Sequence, residues 1–330
     1  MIVTLTPNPS LDRTIELPGF LARGEVHRAL RAHHEPGGKG VNICRALAAG
    51  GVSSIAILPG DVDDPVLVAL RDQKIPHRAL PIGHALRSNV AITEPDGTTT
   101  KVNEPGAALT AHQQAALIEL VLTQAEGASW LVLAGSLPPG VPIDFYADII
   151  GLLRARYGAA APRVAVDSSG PPLAAAVLAG PDLIKPNAEE LAELTGYSDA
   201  ASLESDPRRA LAAARTLVAD GVVTILATLG AQGAILVTAD GAWLAQTPPM
   251  SVVSTVGAGD SALAGYLLSS NAGALPEGCL RQATAHGAAA AALPGSTVPA
   301  LSNTHPATVV VTVLDTPDDH TTAQPQEDDT

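Results

Sequence analysis

Four residues, Gly257-Ala258-Gly259-Asp260, have the types and spacing best suited to chemistry. A β-branched run from Val252 to Val256 breaks at Gly257. Leu263, Ala264, Leu267 and Leu268 then recur at helical spacing, so Asp260 falls in the first turn of a helix. Small residues at a helix start leave backbone N–H groups facing open space, where the positive end of the helix favours an anion. A carboxylate in the same turn can take a proton while those N–H groups hold a phosphoryl oxygen. The tetrapeptide equally suits an ordinary helix start, with glycines for close packing and Asp260 as a cap.

Other stretches offer groups that such a site would need. Residues 36–50, PGGKGVNICRALAAG, run a glycine-rich turn into an amphipathic helix, with Lys39 and Asn42 in its first turn. This is not a Walker A loop, because Gly40 follows Lys39 and His33 occupies the upstream glycine position. The turn suits close backbone approach to a polar ligand, or it is simply structural. Asn187 and Glu190 in KPNAEEL lie three apart and face the same side of a helix. They fit a capping box, and they also fit an amide and a carboxylate organising hydrated Mg²⁺. A second glycine turn, from Thr228 through Gly230 to Gly233, suits a nucleotide phosphate. Asp12 stands just past the first strand, where α/β proteins place ligands, though a lone Asp there also suits a local turn cap.

The elements that must position these groups alternate. Residues 2–6 form a short strand stopped by Pro7-Asn8-Pro9. Strand signals recur at 54–58, 130–134, 163–167, 183–185 and 223–226, with helix patterns at 65–73, 110–126, 143–156, 171–178 and 207–220. That rhythm predicts a parallel sheet covered on both faces, an α/β fold. Residues 88–103 interrupt it with a hairpin, in which Val90 and Ile92 alternate, Asp96-Gly97 turns, and Thr98 to Val102 returns. Arg87 opens this flap. Residues 14–35, broken by Pro18, Gly19 and Gly24, predict irregular short strands off the main sheet. A β meander at 234–246, an Ala-rich helix at 276–292 and an edge strand at 309–314 follow. Residues 315–330 are polar and acidic and are expected to be disordered.

With 330 residues, 46% of them hydrophobic, the chain can bury a substantial core as one large domain or as one domain with an appendage. Only 2% are aromatic, so Ala, Val, Leu and Ile must fill it. A net charge of −14 argues against nonspecific binding to nucleic acid or anionic membranes, and an anionic substrate would need locally placed Lys and Arg. Cys44 and Cys279 fall in apolar helical segments and read as buried thiols rather than a disulfide or metal site. The N-terminal MIVTLTPNPSLDR lacks a basic region followed by an apolar run, and no apolar stretch of about 18 residues occurs later. A soluble cytoplasmic protein is expected.

GGKGVN at 37–42, KPNAEEL at 185–191 and STVGAGDS at 254–261 occur in this order, each at a strand-to-helix junction. Together they resemble the PfkB, or ribokinase-like, carbohydrate-kinase family over about residues 1–300. TLTPNPSLD at 4–12, RSNVAI at 87–92, NEPG at 103–106 and GSLPPG at 135–140 are most similar to its 1-phosphofructokinase and tagatose-6-phosphate kinase branch.

The resemblance implies an αβα sandwich with a small β lid. The main domain would take 1–12, 37–86 and 105–314, and the lid 13–36 and 87–104. It implies Asp260 as general base, with an anion hole from the N–H groups of Gly257, Ala258, Gly259 and Asp260. Sugar contacts are implied at Asp12, Gly38 and Asn42, and sugar-phosphate contacts at Lys39 and Arg87. Asn187 and Glu190 match the Mg²⁺-associated motif, acting through water. Lys185, Thr228, Gly230 and Gly233 match the nucleotide side. The lid often forms the dimer contact in this family, so a homodimer is expected. Many members have Asp where this chain has Ser254, which puts a K⁺ requirement in doubt.

The implied activity is ATP-dependent phosphorylation of a sugar phosphate, foremost fructose 1-phosphate to fructose 1,6-bisphosphate, with tagatose 6-phosphate or fructose 6-phosphate as alternative substrates. Such a transfer needs alignment and charge neutralisation more than covalent help. A noncatalytic sensor on this scaffold would keep the phosphate turns but has no need for Asp260. A dinucleotide oxidoreductase would need G-x-G-x-x-G after the first strand, where this chain has PNPSLD.

Overall fold

Two proline residues decide where the chain leaves its central sheet. In the computed structural model, which describes residues 1–315, β1 (Ile2–Leu5) is wholly buried and ends just before Pro7 and Pro9. Proline cannot donate to a central ladder, so the chain crosses there into a second sheet. That sheet begins with β2 (Ser10–Glu16) and β3 (Arg31–Gly37), an antiparallel pair in unbroken register from Ser10↔Gly37 to Glu16↔Arg31. Residues 14–35 therefore supply regular strands rather than irregular ones; Pro18, Gly19 and Gly24 fall in the connection between them. The sheet also takes in Ser10, Leu11 and Asp12, which the boundary at residue 12 left to the main body.

The chain then returns through α1 (Lys39–Ala49), β4 (Ser54–Pro59), α2 (Pro65–Asp72) and β5 (His77–Leu80). A second excursion, β6 (Arg87–Thr93) and β7 (Thr99–Asn103), completes the small sheet in the order β3-β2-β6-β7. After it the rhythm is steady: α3 (Ala111–Ala125), β8 (Trp130–Ala134), α4 (Phe145–Tyr157), β9 (Arg163–Asp167), α5 (Gly170–Leu178) and β10 (Leu183–Ile184). Next come α6 (Ala188–Thr195), α7 (Ala200–Ser205), α8 (Pro207–Ala219) and β11 (Thr224–Thr228). Local chemistry starts several of these helices. Thr110 and Gln113 close a capping box on α3, and Asp64 and Asp206 cap α2 and α8 ahead of a proline.

The chain ends through the antiparallel strands β12 (Ala234–Thr238) and β13 (Gly241–Gln246), the helices α9 (Ala258–Asn271) and α10 (Pro276–Ala291), and the edge strand β14 (Val310–Asp315). The acidic tail expected at 315–330 lies, beyond Asp315, outside the described residues.

The main sheet has ten strands in the order β14-β13-β12-β11-β10-β9-β8-β1-β4-β5, parallel from β11 through β5. Every residue of β1, β4 and β8 is buried, as strands covered on both faces must be. One apolar cluster fills the face under α3, α4, α5, α6 and α8; another fills the face under α1, α9 and α10, where Trp130 meets Tyr266 edge-to-face at 6.3 Å. The strand order reverses beside β1, so a crevice opens at the carboxyl ends of β1 and β8. Among the described residues, no helix is long and apolar enough to cross a membrane.

Candidate active site

The carboxyl edge of the main sheet gathers most of the charged groups that the protein buries. Asp167 ends β9 with no exposed surface, and Lys185 follows β10 at 4% exposure. Lys39 opens α1 and donates from Nζ to Asp167 Oδ1 at 2.7 Å. Lys185 Nζ stands 3.3 Å from the other oxygen, Asp167 Oδ2. One buried carboxylate therefore holds two ammonium groups. Burial alone would raise its pKa, but Lys185 and Lys39 draw it below the ordinary carboxylate value. Burial opposes the charge on Lys39, yet Asp167 and Glu190 raise its pKa overall, so it stays cationic.

Asp260 lies in the first turn of α9, only 8% exposed, and accepts a 2.9 Å hydrogen bond at Oδ2 from Asn42 Nδ2. It is not the cap of its helix. Gly257 holds that position in the left-handed conformation (φ 75°), which a side chain would strain, and no side chain caps the turn. Burial, and then the charge of Asp167, push the Asp260 carboxyl up to about 6, against the pull of Asn42, Lys39 and Lys185. The N–H of Ala258 is already engaged by Thr255 O at 3.3 Å, so of the four N–H groups expected to hold an anion this one is occupied. Gly259 lies directly over Lys185; a Cβ there would come within 3.0 Å of its Nζ.

Asn187 and Glu190 form the capping box. Glu190 N–H donates to Asn187 Oδ1 at 2.8 Å and Asn187 N–H to Glu190 Oε2 at 2.9 Å. The remaining oxygen, Glu190 Oε1, faces Lys39 Nζ at 3.8 Å. The local cap thus leaves one carboxylate oxygen turned toward the lysine. Thr228 ends β11 and bridges to Asn187, which brings the second glycine turn to the same edge. Within that turn Gly233 (φ 94°) has a packing reason of its own, because a Cβ there would meet Ala245 O of β13. Gly230 lies against the Glu204 carboxylate. Ser254 accepts from the Val256 N–H at 3.2 Å.

A second group of polar side chains lies on the small sheet. Asp12 is mid-strand in β2, not in a turn, so it is no turn cap. Its Oδ1 accepts from Ser10 Oγ at 2.7 Å and Asn89 Nδ2 at 3.1 Å. Burial raises its pKa while Ser10, Asn89 and the Arg87 charge pull it back. Arg87 is level with Ser10 across the β2–β6 ladder and donates from Nη1 to Glu104 O at 3.1 Å. Burial lowers its pKa against the pull of Asp12 and Glu104, and its Nε is buried without a hydrogen-bond partner among the described residues. Gly37 lies under the Asp12 carboxylate, with Gly38 capping α1 and Lys39 next, so one turn joins the two groups.

Sequence reasoning missed Asp167, Ser10 and Asn89. Asp167 had a readable signal: it is a charged residue that directly follows the buried apolar run 164–166 at the carboxyl end of its strand. Among the described residues, no cluster of three or more His, Cys, Asp or Glu is arranged to hold a metal ion.

Comparison with known proteins agrees with this fold. The pfkB family carbohydrate kinase model matches residues 6–303. A 1-phosphofructokinase from Rhodobacter capsulatus is 37% identical over 270 residues, 81% of this chain and 82% of the relative. The ATP-dependent 6-phosphofructokinase isozyme 2 of Escherichia coli is 34% identical over 294 residues, covering 88% and 92%. The crystal structure of phosphofructokinase-2 from Escherichia coli, in complex with substrates and products, superposes with a TM-score of 0.83 at 33% identity, covering 92% of this chain and 96% of that one. The chain belongs to the pfkB family of carbohydrate kinases.

Proposed function

We propose that this pfkB family kinase transfers the γ-phosphoryl group of ATP to the 6-hydroxyl of fructose 1-phosphate, giving fructose 1,6-bisphosphate. The observation that carries the reading is the Asp260 carboxylate. It is buried at the start of α9, oriented by Asn42, and surrounded by two lysines that share Asp167. Asp260 takes the proton of the attacking hydroxyl, and a carboxyl pushed up to about 6 is a better acceptor than an exposed one. Charge gathering on the transferred group meets the first-turn N–H groups of α9 and the ammonium groups of Lys39 and Lys185. Asp12, Gly38 and Asn42 hold the sugar hydroxyls. The Arg87 fork, with its unpartnered Nε, takes the sugar's own phosphate. The small sheet closes over the substrate, excluding water that would otherwise take the phosphoryl group. Lys185 and the turn from Thr228 to Gly233 serve the nucleotide, with Gly230 and Gly233 shaping the turn.

The donor set does not form a cage for a bare metal ion, but it fits hydrated Mg²⁺ arriving with ATP. Glu190 Oε1, with Asn187 behind it, would hold that ion through water. When bound, the ion supplies positive charge to the phosphates.

Fructose 6-phosphate is the second reading, favoured by the similarity to the isozyme 2 enzyme, and tagatose 6-phosphate asks for the same reaction. A homodimer through the small sheet is also part of the proposal. Ile15, Val90, Ile92 and Val102 share the sheet face opposite Asp12, Arg87 and Asn89, an apolar group bordered by Arg13, His34 and Thr100 and suited to a second copy.

Replacing Asp260 by Asn tests the assignment. Shape is retained and the proton acceptor lost, so kcat should fall at least ~10²-fold with ATP affinity nearly unchanged. A variant keeping more than about half the wild-type kcat contradicts the role.

A further inference from the structure

Glu35 lies in β3 of the small sheet, yet its carboxylate reaches two elements of the main body. Its Oε2 accepts from Ser296 Oγ at 3.0 Å, and its Oε1 pairs with Arg45 Nη2 of α1 at 3.5 Å. Ser296 packs beside Gly257, the residue that caps α9; a Cβ on Gly257 would come within 3.6 Å of Ser296 Cα. Arg45 is only 8% exposed. It donates to Gln73 Oε1 from Nε, and to Pro36 O and Asn42 Oδ1 from Nη1, at 3.0, 3.4 and 3.5 Å.

A guanidinium has donors only. Arg45 therefore demands the oxygen of the Asn42 amide, and the nitrogen must turn the other way, toward Asp260 Oδ2 at 2.9 Å. An amide turned over would set its oxygen against a carboxylate. The orientation of Asn42 is thus matched to a buried cation that Gln73, Pro36 and Glu35 hold between them, Glu35 alone among these partners carrying a charge.

We propose that Glu35 is a positioning residue through which the small sheet sets the catalytic geometry. It acts through Arg45 and Asn42 on the Asp260 carboxylate, and through Ser296 on the cap of α9. The inference rests on Asp260 being the base. A small sheet displaced from the main body takes Glu35 with it and loosens both the base and the turn that receives the phosphoryl group. Phosphoryl transfer is then favoured only with the sheet seated over a sugar. Sub-ångström placement matters for such a transfer, because small misalignments of reacting groups cost large factors in rate.

The test compares Glu35→Gln, Arg45→Lys, Asn42→Ala and the double variant Glu35→Gln/Asn42→Ala in steady-state kinetics with saturating MgATP across a pH series. Glu35→Gln should lower kcat by about tenfold or more while the KM for ATP moves less than about twofold. The acidic limb of its kcat profile should rise by roughly half a pH unit, because the Asn42 hydrogen bond is one of the contacts holding the Asp260 pKa down. The other groups facing Asp260, namely Lys39, Asp167 and Lys185, are untouched. Arg45→Lys keeps a cation for Glu35 but lacks the second arm for Asn42, so it should shift the same limb even if Glu35→Gln folds poorly. In the Asn42→Ala background the Glu35→Gln effect on the limb should vanish.

An unchanged limb, or the same shift with and without Asn42, overturns the proposal. Asp260→Asn, run in parallel, separates the two failures. If that variant stays active, the base assignment has failed; if it is inactive while Glu35→Gln is silent, only the relay has.

Discussion

Asn42 and Asp260 stand 218 positions apart in the chain and meet through a single 2.9 Å hydrogen bond. Asn42 belongs to the first turn of α1, which follows β3 of the small sheet, and Asp260 to the first turn of α9, the turn proposed to receive the phosphoryl group. The bond therefore ties α1 to α9, and in the proposed reaction the sugar side of the site to the transfer side. It also occupies one carboxylate oxygen, so the proton of a sugar hydroxyl would go to Oδ1.

The raised pKa of Asp260 predicts two pH effects of opposite sense. As the proton acceptor it must be ionised, so kcat should be flat above about pH 7 and fall about tenfold per pH unit below about 6. Stability runs the other way. The folded carboxyl titrates above its ordinary value of 3.8, so its contribution is fully present below about 4 and is lost as pH rises through about 6. Asp260→Asn cannot ionise and should melt above the wild type at about pH 8, with the gap closing toward pH 4. Thermal denaturation across that range checks it; a Tm difference that ignores pH would contradict the assigned burial.

Asp167 is the shared counter-charge of two lysines that also act on Asp260. Asp167→Asn leaves Lys39 and the buried Lys185 without their shared counter-charge, a loss on the order of 3 kcal/mol. It also removes a charge that raises the Asp260 pKa, so the acidic limb of kcat should move to lower pH. Denaturant unfolding and a pH–rate profile on the same variant read both effects. A limb that stayed in place would show that Asp167 and Asp260 do not sense each other.

Much of this architecture is legible in the sequence because local and tertiary preferences agree there. The Asp96-Gly97 turn marks the β6–β7 hairpin, and apolar runs such as 130–134 mark strands buried on both faces. Asp260 is legible because small residues break a β-branched run just ahead of it. Asp12 was harder. Whether it sits in a turn or a strand depends on β6, whose residue Asn89 lies level with it from 77 positions away. The relay from Glu35 is illegible for the same reason, since Ser296 is 261 positions distant. Gly233 shows the converse, a phosphate-like turn residue whose type is already demanded by packing on β13.

Glu190 carries a cap and a charge together, and they can be separated. Glu190→Gln keeps an oxygen for the Asn187 N–H but removes the charge facing Lys39. The Mg²⁺ concentration for half-maximal rate should rise, with stability changed by less than about 1 kcal/mol. A Mg²⁺ titration beside a melting curve reads both. Unaltered Mg²⁺ dependence with a stability loss of about 1 kcal/mol would reduce Glu190 to a helix cap.

The central claim is the identity of the acceptor, and a kcat/KM comparison under saturating MgATP tests it most directly. The compounds are fructose 1-phosphate, fructose 6-phosphate, tagatose 6-phosphate and free fructose. Losing a charge-assisted phosphate contact costs ~1.5–3 kcal/mol, about one to two decades in affinity, so free fructose should lag by at least ~10-fold. Fructose 1-phosphate should give the highest value, with fructose 1,6-bisphosphate as its product. A higher value for either 6-phosphate would contradict the proposed acceptor, and a preference for free fructose would contradict the phosphate-binding role of Arg87.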